Sequence, residues 1–293
     1  MTQPPEPAGS IYDLGYRRYE GARLGRRHAI ETLYLHSLRA SFGLGRRASS
    51  KIIPIGLCGL ALVPAAVQLG IAAVSSRSDI EIVRPEEYYD FIQLILALFV
   101  AAVAPELVGR DQRTRTLSLY FSRTLLRPDY ALAKLAALTT AMTLLTAVPL
   151  LVLFVGDTLV AGSAWEHIKD NWQDVPRIAV SGVAVSFVFA SIALAIAAQT
   201  ARRSYSTGGI IAFFVITAAV GNIVAATSGK FGLLLSVFDT THGATLWFFG
   251  AQPDSADPLS EISYFGPICT LTLAAISAAA SALLVRRFRR VSA

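Results

Sequence analysis

Five stretches of this 293-residue chain run for 22 to 26 positions without a charged side chain: Ile52–Val74, Leu135–Gly156, Ile178–Ala201, Ser204–Gly229 and Ile262–Val285. A helix of about 20 such residues crosses a hydrocarbon core about 30 Å thick. A sixth block, Tyr88–Val108, is similarly long and carries Glu106 near its end. Overall, 54% of residues are hydrophobic and 16% charged, against about 25% charged in an ordinary soluble domain. The expected fold is therefore all-α, a polytopic membrane protein with six transmembrane helices. Outer-membrane barrels show alternating segments of about ten residues instead. Cys58 and Cys269 both fall inside apolar runs, so neither a disulfide framework nor a metal cluster is indicated. The polar N-terminus, MTQPPEPAGS, has no apolar core of the signal-peptide kind, so no cleavable signal is expected.

Charge sets the expected orientation. The segment before the first span, the two-to-three and four-to-five connections and the tail together hold 21 of the 26 basic residues and 7 of the 20 acids, a net of +14. The opposite side holds 5 basic residues and 13 acids, a net of −8. Lys and Arg concentrate in cytoplasmic loops, which places both termini in the cytoplasm of a multi-pass cell (inner or plasma) membrane protein. The excess of six positive charges is then topological, and a nucleic-acid partner is not expected.

The chain divides into three regions. Residues 1–51 form a cytoplasmic N-terminal segment, 52–285 the six-span domain, and 286–293 a basic cytoplasmic tail. Residues 1–10 are Pro-rich and expected to be disordered. Tyr12–Arg27 is basic and aromatic, too polar to insert and too patterned for an ordinary tail. Ile30, Leu33, Tyr34, Leu38 and Phe42 then share one helical face. That predicts an amphipathic helix in the membrane interface or, alternatively, a soluble helix packed on a partner. Trp165 and Trp172 suit a headgroup belt on the outer side. Before the last span, Phe231–Phe238 and Ala244–Ala251 are apolar pieces too short to cross, separated by DTTH (Asp239–His242). They predict a re-entrant hairpin turning at DTTH, with a surface-lying helix pair as the alternative.

The most informative stretch is Pro105–Lys134, PELVGRDQRTRTLSLYFSRTLLRPDYALAK. Thr114–Leu126 is expected to form a short helix parallel to the membrane. Leu117, Tyr120, Phe121 and Leu125 lie on one side of it, with Arg113, Arg115 and Arg123 around them. An apolar face with a basic rim, held between two spans, suits a groove on another protein.

On these residues the chain resembles the permease subunits of ABC-2 type ABC transporters, which carry an acid, a Gly-Thr-Leu step, a Leu-rich coupling helix, a Ser/Pro/Arg turn and a Gly-Lys after the second span. Asp111 corresponds to the acid, Thr116 and Leu117 to Thr-Leu, Ser122, Arg123 and Arg127 to the turn, and Tyr130 and Lys134 to the start of span three. Arg115, Thr124 and Ala133 depart from the pattern, standing where Gly, Pro and Gly are usual. The resemblance implies a non-catalytic transport subunit whose pathway is shared with a second permease copy or a related permease. Two cytoplasmic ABC ATPase subunits would drive it through the coupling interface formed by Asp111, Arg115, Thr116, Leu117, Tyr120, Phe121, Arg123 and Arg127. No G-x-x-x-x-G-K-[ST] occurs here, so ATP and Mg are expected on the partner, with no cofactor on this chain. The apolar spans and acidic outer face favour export of an amphipathic or hydrophobic molecule such as a drug, lipid or lipid-linked product. The alternatives are a membrane anchor or sensor that recruits an ATPase without transport, and an intramembrane enzyme. Against the enzyme, no HExxH occurs and no acid pair lies at matching depth.

Glu106 is expected to pair with Arg110 at the end of span two or to join the coupling network. Asp239 and His242 are assigned to the outer turn, structural or lining an exit. Asn222 and Gln199 are interhelical hydrogen-bonding candidates, and Gly208, Gly209 and Gly221 sites of close helix approach.

Overall fold

The computed structural model describes residues 24–45, 48–75, 84–121, 125–160 and 163–290, and every regular element among them is helical. Helix α1 (Gly25–Ser41) precedes α2 (Ser49–Ser75) and α3 (Tyr88–Ala104). α3 runs through a π turn (Pro105–Gly109) into α4 (Arg110–Arg113), and α5 (Leu117–Phe121) comes next. Then come α6 (Arg127–Val160), α7 (Ala164–Asn171), α8 (Asp174–Ala197), α9 (Arg203–Ser228), a 3-10 turn (Lys230–Leu235), α10 (Val237–Phe249) and α11 (Phe265–Arg289). Six of these are long and apolar enough to cross a membrane: α2, α3 with its extension, α6, α8, α9 and α11. They fall on the six blocks read from the sequence. Most of residues 12–27, with Arg123, lie outside the described residues.

The spans are unequally buried. In α8 and α3, 72% and 61% of the apolar window is enclosed by the rest of the chain, against 22% in α2, 22% in α9 and 28% in α11. The middle of the bundle is thus α3, α6 and α8, and three spans keep broad apolar surface outward. Lipid is as apolar as a leucine side chain, so contacts between spans depend on packing and on polar links. Tyr89 and Ser181 hydroxyls meet at 2.9 Å between α3 and α8, and the Tyr88 hydroxyl donates to the Ala61 carbonyl in α2. Phe189, Phe214 and Phe238 stack in sequence, centroids 4.8 and 5.6 Å apart, joining α8, α9 and α10.

The π turn has a local cause. Pro105 has no N–H to give to the Ala101 carbonyl four residues earlier, and the Thr207 hydroxyl of α9 donates to that carbonyl instead at 3.0 Å. A π turn where a proline breaks the ladder is a common helix irregularity.

Two expectations change. The apolar side of α1 is turned onto the bundle: Leu33 is buried, Tyr34 donates to Thr140 of α6 at 3.0 Å, and Phe42 packs against Phe99. Packing on protein, not lipid alone, therefore occupies that face. In the segment between α9 and α11 a helix starts after Ser236, and Asp239–His242 lie within it, α10. The Ser236 side chain accepts from the Asp239 N–H at 3.2 Å, so the serine makes the N-cap ahead of DTTH. The 3-10 turn lies flat on α9 because a Cβ on Gly221 would stand 2.9 Å from that of Ser236. Gly208 has open space at its Cβ position, and Gln199, in the turn after α8, bonds back to Ala195 of that helix, whereas Asn222 reaches Asp239 at 3.3 Å.

Candidate functional site: a braced segment at the basic end of the bundle

The ends of α3, α8 and α11 and the starts of α6 and α9 meet at one end of the bundle, with α1 across them. There Asp111 sits between two groups from the first turns of α6. Lys134 Nζ is 3.0 Å from Asp111 Oδ2, and the Tyr130 hydroxyl donates to the same oxygen at 2.7 Å. The side chains are only 4% exposed for Lys134 and 16% for Asp111. Removing two charges from water costs several kcal/mol each, and close pairing with further hydrogen bonds is what offsets that. The Lys134 ammonium also lies 5.4 Å from the Tyr130 ring centre.

Tyr130 is the hub of this end. Its ring touches Tyr120 (5.8 Å) and Phe121 (6.0 Å) of α5 and Phe288 of α11 (4.9 Å). Gln112 and Arg113 donate to the carbonyls of Ala198 and Ala201 beyond α8, at 3.1 and 3.2 Å. Arg287 donates to Ala198 as well, and Arg127 to the carbonyl of Arg289. The described residues 111–121, with Arg127, are thus fastened to spans α6 and α11 and to the α8–α9 connection.

Arg115 occupies a left-handed conformation, φ 54°. The N–H of Thr116 bonds to the Asp111 carbonyl and that of Arg115 to Gln112, the double pattern that closes a helix with a left-handed residue, most often glycine. Arginine holds this backbone here, and Thr116 Oγ1 adds a bond to the Asp111 carbonyl at 3.3 Å.

The helix expected over Thr114–Leu126 is shorter in the described residues. Thr114–Thr116 is a turn, helix covers Leu117–Phe121, and Leu125 and Leu126 are not helical. The expected apolar face also points elsewhere: Leu117 and Leu125 are each 7% exposed, inside the chain's own core, and Tyr120 and Phe121 lean on Tyr130. The outward residues are Arg113, Thr114, Arg115, Ser118 and Leu119, the last 67% exposed.

Glu106 is paired with Arg203 of α9 at 3.0 Å, a partner from across the bundle and not the nearby Arg110 that the sequence suggests. The π turn explains why four-residue spacing is a poor guide there. Sequence reasoning also missed Arg26, whose guanidinium grips Asp129 with two bonds of 2.7 Å. Asp129 in turn accepts from the Leu126 N–H at 3.1 Å, capping α6. The readable signal was an acid three residues after Leu126, at the start of a long apolar helix.

At the opposite end, His242 of α10 lies between Asp90 of α3 and Asp257 of the α10–α11 connection. Its Nε2 is 2.9 Å from Asp257, and its Nδ1 is 2.6 Å from Asp90 as a charge contact without hydrogen-bond alignment. Burial favours the neutral ring, but the two carboxylates outweigh it and push the imidazole up to about 9. Burial raises the nearby Asp239 carboxyl. Sequence placed Asp239 and His242 together but gave His242 neither partner. No group of side chains suited to a metal ion occurs among the described residues.

Compared with models of known protein families and with curated protein sequences, the chain matches none of them.

Proposed function

We propose that this chain is the membrane-spanning permease subunit of an ATP-driven transporter of the ABC-2 type. In this reading two cytoplasmic ATPase subunits bind ATP and Mg, and a second permease copy or related permease completes the pathway. The cargo is an amphipathic or hydrophobic molecule moved outward. The observation that carries the reading is the bracing of residues 111–121. A connection that merely joined two spans would not require a buried Asp111–Lys134 pair, a left-handed closure at Arg115 and ties to two further parts of the bundle. Such fastening passes a push on the outward residues into the spans. The motif resemblance adds independent weight, and the outward apolar surface of α2, α9 and α11 leaves room for a second subunit.

The contact with the ATPase is assigned to Leu119 and the Arg113–Arg115 rim, because Leu117 is occupied internally. A photo-crosslinking residue at position 119 of the full chain in its native membrane should capture a protein carrying the nucleotide-binding G-x-x-x-x-G-K-[ST] sequence. Leu119→Asp should abolish that capture and ATP-dependent efflux while leaving membrane insertion intact. Crosslinks to lipid only, with efflux unchanged in Leu119→Asp, would overturn the reading.

A further inference from the structure

Between α1 and the spans, two cavities of about 920 and 250 Å³ share the walls Ala40, Ser50 and Glu106 and so form one groove. It lies where α2 and α9 begin and the α3 extension ends, at the ends of three spans. Arg39 and Arg110 line its wide part, with His36 at the rim. Ile53 and Pro54 line the narrow part, and Ile53 is half exposed.

Charge accounting at this end of the bundle leaves a surplus of basic side chains, these two arginines among them. Among the described residues here there are four carboxylates, each already held by a different cation: Glu31 by Arg27, Glu106 by Arg203, Asp111 by Lys134 and Asp129 by Arg26. Neither Arg39 nor Arg110 has a carboxylate within ion-pair distance among the described residues. Two guanidinium groups face one polar groove whose carboxylate, Glu106, is held by Arg203, and with an apolar slot beside them they match a ligand with an anionic head and a hydrocarbon tail. Guanidinium forks suit phosphate oxygens, and basic pockets between spans take anionic headgroups.

We propose that this groove binds an anionic glycerophospholipid, its phosphate between Arg39 and Arg110 and an acyl chain along Ile53 and Pro54. The assignment does not depend on the transport reading, since it uses only the groove and its charges.

The test is binding of fluorescent phosphatidylglycerol to the full-length purified chain in neutral detergent, with three competitors. Unlabelled phosphatidylglycerol should displace the probe, while phosphatidylcholine and millimolar inorganic phosphate should not. Arg39→Gln with Arg110→Gln should weaken binding roughly tenfold or more, whereas Arg177→Gln, at the other end of the bundle, should leave it unchanged. Should the double variant fail to fold, Arg39→Gln alone, on the outward side of α1, carries the test with an expected loss of several-fold. Equal displacement by phosphatidylcholine, or wild-type binding in the arginine variants, would overturn the site. Displacement by inorganic phosphate would make it a free-phosphate site and overturn the lipid assignment.

Discussion

Lys134 and Asp111 face each other at 3.0 Å, one on the first turns of α6 and the other on the short helix that ends α3, with little water reaching either. The pair closes the connection between two spans at its base. Removing one partner strands a buried charge, whereas removing both does not. Lys134→Met is therefore expected to destabilise the chain by about 3–5 kcal/mol. Asp111→Asn combined with Lys134→Met should recover at least half of that loss. Thermal unfolding in detergent measures both, and strictly additive losses would show that the two side chains act separately.

Position 117 is a stability position. Leu117→Ala is expected to cost about 2–5 kcal/mol, as for other large-to-small changes in a packed interior. Leu119→Ala should cost under about 0.5 kcal/mol, as surface changes usually do. Equal melting temperatures for the two variants would contradict this division.

Arg115 separates backbone from side chain. A left-handed residue other than glycine costs about 1–2 kcal/mol, so Arg115→Gly should hold or raise stability, and Arg115→Val should lower it by at least about 1 kcal/mol. If the guanidinium serves a partner, Arg115→Gly loses activity in a chain that melts no earlier than wild type.

The clasp around His242 should weaken in alkali. His242 binds its proton more tightly folded than unfolded, its pKa raised from 6.5 to about 9, so its contribution is complete below about pH 6.5 and lost as pH rises through about 9. Asp239, raised by burial above the ordinary carboxylate range, makes its own contribution on the acid side. The facing groups are Asp90 from α3, Asp257 from the connection before α11, and the buried Cys269 of α11. His242→Gln should melt earlier than wild type at pH 6, and the gap should close by about pH 10. A gap independent of pH would mean that the ring acts through shape alone.

Thr207→Val should cost about 1 kcal/mol, the scale of a single hydrogen bond between spans, by leaving the Ala101 carbonyl without its donor. Pro105→Ala restores an N–H in the right place, and in that background Thr207→Val should cost less. Unequal losses in the two backgrounds, read from a four-variant unfolding cycle, verify the exchange.

The spans were legible because exclusion of charge over 22 or more residues is a strong local signal. Partnerships were less so. Glu106 and Arg110 stand four apart in the sequence, but Pro105 breaks the regular helix on which that spacing rests, and Arg203 arrives from almost a hundred residues away. Leu117, Tyr120 and Phe121 were correctly grouped, yet periodicity identifies a face without saying what covers it. Here Tyr130 and Phe288 do. DTTH was polar enough to be taken as a turn, but Asp and Thr serve equally in a first helical turn once Ser236 caps it.

The π turn at Pro105–Gly109 also acts as a compass setting for the connection beyond it. A helix advances about 100° per residue, and a π turn holds roughly one residue more than an α turn. Every residue past Gly109 is therefore swung by about that angle from the bearing that Tyr88–Ala104 would have given it. Deleting a single residue there would leave every side chain of the connection chemically unchanged and turn Asp111 away from Lys134. In this chain the bearing of a charge is written by a proline six residues before it.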